Sequence, residues 1–162
     1  MQHVRSVLIL EDFLNQERRK RVQNSANYNI IQIITQGQDG YPHVALLSVG
    51  EFYISGPAEI HFCVYAESTT LKNLERESLT TLAFVHEDKN ILIKARSTLL
   101  STNTIDDIKL CFFKGVVIGE KIDSVNYAKI TCSSAFSLKS PHCTLKRWDK
   151  QWTLLENLNI KL

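Results

Sequence analysis

Hydroxyl and lysine side chains are grouped where a strand-like run gives way to a helix-like run. The apolar run Ile60–Ala66 is followed by Glu67-Ser-Thr-Thr-Leu-Lys72. Ser and Thr favour helix N-caps, and a helix N-terminus attracts phosphate through its free N–H groups and partial positive charge. Ser68, Thr70 and Lys72 would add hydrogen bonds and charge. The pattern therefore predicts either a phosphate site or a capped surface helix.

Two histidines and a tyrosine are further candidates for contact with a ligand. His43 follows Pro42 at the start of a predicted strand, where it could contact a ligand or lie at the rim of a barrel. His61 and Tyr65 share one strand face, which is either core or dimer surface. The sequence has no Gly-rich nucleotide fingerprint, metal-spaced His/Glu pair or nucleophile elbow. Catalytic residues are therefore unknown from the sequence, and no metal site is predicted.

The four cysteines do not form a recognisable metal or redox motif. No pair has the close spacing of a zinc knuckle or a redox dithiol. Cys63 and Cys111 lie inside apolar runs, which is typical of buried structural thiols. Nothing in the cysteine pattern indicates an oxidising compartment.

A helix, a β-rich middle and a second helix would position these residues within a single domain of 1–162. The N-terminal helix is predicted at about 7–25, the barrel at about 28–135 and the C-terminal helix at about 144–158. A turn with two glycines and a proline joins the first two strands, and 51–59 is predicted to be a longer connection. The predicted strands are Ile30–Thr35, His43–Val49, Ile60–Ala66, Leu79–His86, Ile91–Leu100 and Lys109–Ile122.

Composition and charge do not indicate a particular class of partner. Nineteen basic and seventeen acidic residues give a formal charge of +2, which does not by itself indicate nucleic acid. The dense basic run Arg18–Arg21 is either a phosphate or nucleic-acid contact or a solvated helix face. Val7–Leu10 is too short for a signal-peptide core, and no window is long enough for a membrane span. We expect a cytoplasmic protein with neither a membrane nor a nucleic-acid partner.

Three short motifs, taken in order, resemble the pyridoxamine 5′-phosphate oxidase-like family. They are Gly-Tyr-Pro-His-Val-Ala-Leu-Leu-Ser at 40–48, Ser-Thr-Thr-Leu-Lys-Asn-Leu-Glu-Arg at 68–76 and Leu-Thr-Thr-Leu-Ala-Phe-Val at 79–85. A strand that ends near Val64-Tyr65-Ala66 lies between the first two. The resemblance covers about residues 8–135 and is sharpest in 39–85.

The resemblance implies a mainly β fold, a six-stranded Greek-key split barrel with flanking helices. It also implies a homodimer that binds FMN at its interface. The first strand pair would contact the flavin, the next strand end would line the isoalloxazine ring, and the segment entering the short helix would hold the phosphate. The implied FMN-binding residues are, in that order, His43, Val44, Ala45 and Leu46, then Val64, Tyr65 and Ala66, then Ser68, Thr70, Lys72 and Asn73.

The chain also departs from the family pattern. Thr69 and Thr70 stand where the family usually has arginine and lysine, and His43 stands where the oxidases tend to have arginine. Charge-assisted hydrogen bonds are roughly twice as strong as neutral ones, so a weaker hold on the phosphate is predicted. The Arg- and Trp-rich substrate-binding region of the oxidases is not evident in 136–162.

Three functions remain open from the sequence. The first is an FMN-dependent oxidoreductase with an unknown small-molecule substrate, in which FMN carries the electrons and the protein binds and orients it. The second is a non-catalytic flavin- or haem-binding module, such as a sensor, carrier or stress protein. The third is an interaction domain that has lost its cofactor and keeps the dimer.

Overall fold

The computed structural model describes residues 3–23 and 25–158. The helices are α1 (Arg5–Val22), α2 (Thr69–Arg76) and α3 (Pro141–Asn157), and a short 3-10 turn spans Val49–Glu51. The strands are β1 (Asn27–Asn29), β2 (Ile31–Gln36), β3 (Pro42–Leu47), β4 (Phe52–Gly56), β5 (Glu59–Tyr65), β6 (Leu79–His86), β7 (Lys89–Ile105), β8 (Ile108–Asp123) and β9 (Ala135–Ser137).

Seven antiparallel strands form one sheet in the order β3-β2-β6-β7-β8-β5-β4. Its two edge strands, β3 and β4, are joined by residues 48–51 alone. A connection this short holds the two edges together at one corner, so the sheet curls into a barrel that is open between β3 and β4. The predicted fold class, a mainly β barrel with flanking helices, is confirmed.

The sheet has one strand more than the six predicted. Phe52–Gly56, predicted to be part of a connection, pairs with β5 as strand β4. β7 and β8 also extend beyond their predicted ends, because a two-residue turn joins them at Asp106 and Asp107. Both aspartates have positive φ angles, of 49° and 64°, which is the backbone geometry of a tight hairpin turn. A small separate sheet pairs β1 with β9.

The barrel core is aromatic and aliphatic, and α1 packs against it. Phe62 and Phe113 stack with ring centroids 5.3 Å apart inside the barrel. Phe13 of α1 lies 5.1 Å from Phe84 by the same measure. Burial of this apolar surface is the main favourable contribution to folding. Within the described ranges, no helix combines the length and apolar character that a membrane crossing requires.

Helix α3 covers the outer face of β5. The predicted alternation along β5 is present, yet His61 and Cys63 are fully buried because α3 lies over them. His61 Nδ1 donates to the Leu155 carbonyl at 2.8 Å. The shared face of His61 and Tyr65 is therefore core under α3 at His61, whereas Tyr65, at the strand end, is exposed.

The 3-10 turn is clamped by three side chains of α3. Gln151 Nε2 donates to the Gly50 carbonyl at 2.9 Å, and Trp152 Nε1 donates to the Val49 carbonyl at 2.9 Å. Trp148 packs directly against Gly50, where a Cβ would lie closer than 3.0 Å to the indole ring. The corner that holds the two edges of the barrel together is thus fixed by α3.

The basic run on α1 is mostly engaged within the chain. Arg18 donates to the Phe52 carbonyl at 3.0 Å, and Arg21 pairs with Asp149 of α3. Lys20 lies 2.6 Å from a carboxylate oxygen of Glu17. Arg18 and Arg21 therefore tie α1 to β4 and α3.

Candidate functional site

The register of β3 sends the predicted flavin contacts to two opposite faces. His43 pairs with Thr35 and Ala45 with Ile33, both of which are buried, so His43 and Ala45 face inward. Val44 and Leu46 face outward and are 47% and 57% exposed. The four predicted residues of β3 thus cannot all present their side chains to one ligand surface of a single chain.

The entry to α2 is capped by its own serine. Ser68 Oγ accepts a hydrogen bond from the Leu71 N–H at 3.1 Å and donates to the Tyr65 carbonyl at 2.7 Å. Thr70 and Asn73 are buried, and Asn73 Nδ2 donates to Thr35 Oγ1 at 3.0 Å. Ser68 and Asn73 therefore stabilise the local structure, and Lys72 is left exposed on the surface of the helix.

A cavity of about 350 Å³, here called the α2 cavity, lies between α2 and the turn that joins β2 to β3. Two cations, Lys72 and Arg76, border it against one carboxylate, Asp39. Arg76 also donates a hydrogen bond to the Gln36 carbonyl. The sequence reading missed Arg76, although residues four apart on a helix share one face. The remaining lining residues are Gly37, Gln38, Tyr41, Pro42, His43, Thr69 and Asn73.

A second cavity of about 240 Å³, here called the α3 cavity, lies where α3 meets β3, β5 and the 3-10 turn. The predicted flavin contacts Leu46, Val64 and Tyr65 border it. Six of the eleven predicted site residues therefore line one of the two cavities: His43, Lys72 and Asn73 line the α2 cavity, and Leu46, Val64 and Tyr65 line the α3 cavity. The other five line neither, and they are Val44, Ala45, Ala66, Ser68 and Thr70. The other lining residues of the α3 cavity are Leu47, Ser48, Glu51, Cys63, Leu110, Phe136, Leu138, Thr144, Arg147, Trp148 and Gln151.

A carboxyl group and a thiol lie at the polar side of the α3 cavity. Glu51 Oε2 accepts hydrogen bonds from Ser48 N–H, at 2.6 Å, and from Ser48 Oγ. Burial raises the pKa of Glu51, while the bonds from Ser48 and the nearby Arg147 guanidinium act in the opposite direction. Burial also raises the pKa of the Cys63 thiol well above its usual value. Cys63 is therefore held as a thiol, which is the poor nucleophile of the two forms.

Two other histidines have local structural partners. His61 Nε2 is buried and no hydrogen-bond partner for it is found among the described residues, and burial lowers the pKa of this imidazole. His86 Nε2 lies 2.8 Å from Asp12 Oδ2. Asp12, His86 and Glu87 each place a potential metal ligand within 4.8 Å of the others, but Lys89 and Arg5 line the same depression. The contact with Asp12 gives the His86 side chain a partner within the chain.

Comparison with known proteins gives one sequence relative. No family model matches the chain. The chain is 23% identical to the uncharacterised protein YclD of Bacillus subtilis over 127 residues, which are 78% of this chain and 82% of that protein.

Solved structures provide further likenesses. A Clostridium acetobutylicum protein related to general stress protein 26, of the pyridoxine-phosphate oxidase family, matches with 15% identity and a TM-score of 0.49 over 81% of this chain and 98% of that one. The family named for this neighbour is the one that the sequence motifs resemble. An F420 reductase matches with 10% identity and a TM-score of 0.47 over 59% of this chain and 91% of that one. The haem storage protein HutZ of Vibrio cholerae matches with 13% identity and a TM-score of 0.44 over 67% of this chain and 94% of that one. None of the three TM-scores exceeds 0.49, so the fold of this chain is assigned from its own strand order.

Proposed function

We propose that this protein binds FMN, with the phosphate in the α2 cavity at the N-terminus of α2. The observation that carries the proposal is the pairing of a helix N-terminus with Lys72 and Arg76 along one cavity. Ser68 accepts from the Leu71 and Lys72 N–H groups, so the N–H group of Thr69, which lines the cavity, is a first-turn donor that remains for an anion. Arg76 compensates in part for the cations absent at positions 69 and 70.

The flavin ring is proposed to lie across the outward side of β3, at Leu46, and the end of β5, at Tyr65. Both side chains are at least half exposed and border the α3 cavity. Bound FMN would supply electron transfer, which makes a flavin-dependent oxidoreductase the proposed class. The chain's own contribution is to hold the phosphate with Lys72 and Arg76 and to shield one side of the ring with apolar surface.

We propose a homodimer for the same chain. Part of the outward side of the sheet is apolar: Leu79 and Ile118 are 44% and 57% exposed, and both line a depression that includes Ile34 and Pro42 beside polar residues such as Gln36, Glu77 and Lys94. Exposed apolar surface of this kind marks an interaction site. Ile118→Lys should give a monomer by light scattering after size exclusion. Tyr127→Lys, a control at an exposed position outside this depression, should leave the dimer intact. If the parent protein itself were a monomer by light scattering, the proposed dimer would be refuted.

FMN binding is tested by titrating flavin fluorescence against matched variants. Loss of a charge-assisted hydrogen bond costs about 1.5–3 kcal/mol, so Lys72→Ala should weaken FMN binding by about tenfold or more. Arg76→Gln should weaken it as well, and Lys129→Ala, at an exposed position away from both cavities, should not. Equal FMN affinity of the parent protein and the three variants would contradict the placement of the phosphate in the α2 cavity.

A non-catalytic flavin- or haem-binding module is the second candidate, and one residue favours it. His43 is half-buried and lines the α2 cavity, and histidine is a common axial ligand of haem iron. Haem added to the protein would then give a Soret band that is shifted from that of free haem and is lost in His43→Ala. Failure of any reductant to turn over a tightly bound flavin would favour this candidate over the oxidoreductase.

We also propose the cytoplasm as the location. All four cysteines are free, and two of them, Cys132 and Cys143, are exposed. Exposed free thiols persist in a reducing compartment. Fractionation of cells that make the protein, with a thiol count on each fraction, would test this.

A further inference from the structure

The α3 cavity has a charged group without a carboxylate partner. No carboxylate oxygen among residues 3–23 and 25–158 lies within 4.0 Å of the Arg147 guanidinium. Its Nε donates to Gln151 Oε1 at 3.2 Å, which leaves the two terminal nitrogens for another acceptor. Arg147 lines the cavity together with Glu51 and Cys63, and its charge opposes the rise that burial causes in the pKa of both groups.

Buried contacts fix the position of this arginine. Gln151, which accepts from Arg147, is 1% exposed and donates to the Gly50 carbonyl at 2.9 Å. The chain of contacts therefore runs from Arg147 through Gln151 to the turn that joins β3 to β4. A guanidinium held this way presents its donors with little loss of side-chain entropy on binding.

The carboxyl group across the cavity does not neutralise the arginine fully. Burial raises the pKa of Glu51, and Ser48 already occupies its Oε2. Glu51 is held by Ser48, and it lies outside the 4.0 Å at which it would form an ion pair with Arg147, so the guanidinium keeps its terminal N–H groups for a ligand. The favoured ligand is then an anion.

The rest of the cavity wall is mainly apolar, and its polar members include Ser48, Thr144 and Gln151. The apolar walls come from β3, β5, β8 and β9 and from α3, and they include two aromatic rings. The apolar lining side chains are Leu46, Leu47, Val64, Leu110, Phe136, Leu138 and Trp148. Small-molecule sites are typically lined in this way, with a few polar groups that fix the orientation of the ligand.

We propose that the α3 cavity binds a small, mainly apolar acid, with its anionic group on Arg147 and its apolar body against these walls. A volume of about 240 Å³ is below the usual range of drug-sized sites, roughly 300–1,000 Å³, which favours a ligand with one or two rings. This site is separate from the proposed phosphate site, and it does not require bound flavin. If FMN binds as proposed, the mouth of the cavity at Leu46 and Tyr65 places the acid beside the ring.

Calorimetric titration of the flavin-free protein with three probes of one shape tests the proposal. The probes are naphthalene-2-carboxylate, naphthalene-2-methanol and 2-(aminomethyl)naphthalene, which differ in charge and share the apolar body. The acid should bind about tenfold more tightly than the other two, since a charged hydrogen bond contributes about 1.5–3 kcal/mol. Equal binding of the three probes, or no binding of the acid, would overturn the proposal.

Arginine variants assign the acid to the cavity. Arg147→Gln should lower the affinity for the acid to that for the alcohol and leave the affinity for the alcohol unchanged. Arg19→Gln, an exposed arginine of α1, should behave as the parent protein. Arg147→Lys keeps the charge and should retain part of the preference, which covers the case in which Arg147→Gln fails to fold. If Arg147→Gln kept the preference for the acid over the alcohol, this site would be refuted. The proposed FMN site is tested separately by FMN affinity, so failure of one proposal does not imply failure of the other.

Discussion

Gly50→Ala tests the clamp between α3 and the corner of the barrel. A Cβ at this position would lie closer than 3.0 Å to three atoms of the Trp148 indole, Cγ, Cδ1 and Nε1. The ring is 2% exposed, so it cannot turn into solvent to make room. Overpacking of a buried site costs about 1–3 kcal/mol, and overlap with three ring atoms places this substitution near the upper end. We expect a loss of about 3 kcal/mol, or roughly 6–12 °C in Tm for a chain of this length.

Urea unfolding followed by circular dichroism measures this loss, and Gly119→Ala is the matched control. Its nearest new contact would be the flexible Lys94 side chain at 3.6 Å, so we expect a change within about 1 kcal/mol. In a Trp148→Leu background the overlap is gone, and Gly50→Ala should then cost less than about 1 kcal/mol. The clamp would be refuted if Gly50→Ala cost no more than Gly119→Ala, or cost the same with and without Trp148.

Three further predictions concern charge and thiol chemistry. Burial raises the pKa of Glu51 in the folded state. The stability that this carboxyl group contributes is therefore present below its unfolded pKa and is lost as the pH rises through its folded pKa. Between about pH 4 and pH 8, the urea midpoint of Glu51→Gln should fall less steeply with pH than that of the parent protein. Cys63 is buried with a raised pKa, so a thiol reagent should modify Cys143 rapidly and Cys63 only on unfolding, as peptide mapping would show; rapid labelling of Cys63 would contradict the burial. Asp149→Asn removes the partner of Arg21 at a site where both side chains are about two-fifths exposed, so chemical denaturation should show a loss of no more than about 1 kcal/mol.

The core strands of the barrel were predictable because their apolar residues alternate with a period of two. β4 was missed because Gly56 and Pro57 end it after five residues, and such a short, mixed segment resembles a loop. The ends of β7 and β8 were missed because the polar residues 101–104 lie on an extended hairpin, where pairing rather than apolar burial holds the strand. The burial of His61 could not be predicted, since it depends on α3 packing over β5 from a distant part of the chain.

The candidate site was predictable only where it is local. Ser68 and Lys72 belong to one helix turn, and their spacing predicts the helix N-terminus that the structure shows. The polar side of the α3 cavity brings Glu51 together with Arg147, which are far apart in the sequence. No spacing rule relates them, because the antiparallel sheet and the docking of α3 create the contact. The division of the β3 residues between two faces follows from the register with β2, which a resemblance to a family does not specify.

FMN binding is the central claim, and an absorbance spectrum tests it most directly. The purified protein is incubated with FMN, desalted and scanned from the near ultraviolet to the visible, and the flavin is counted against the protein. The account predicts flavin bands shifted from those of free FMN, with close to one flavin per chain. Recovery of all the flavin in the salt fraction, together with no quenching of flavin fluorescence at high protein concentration, would contradict it.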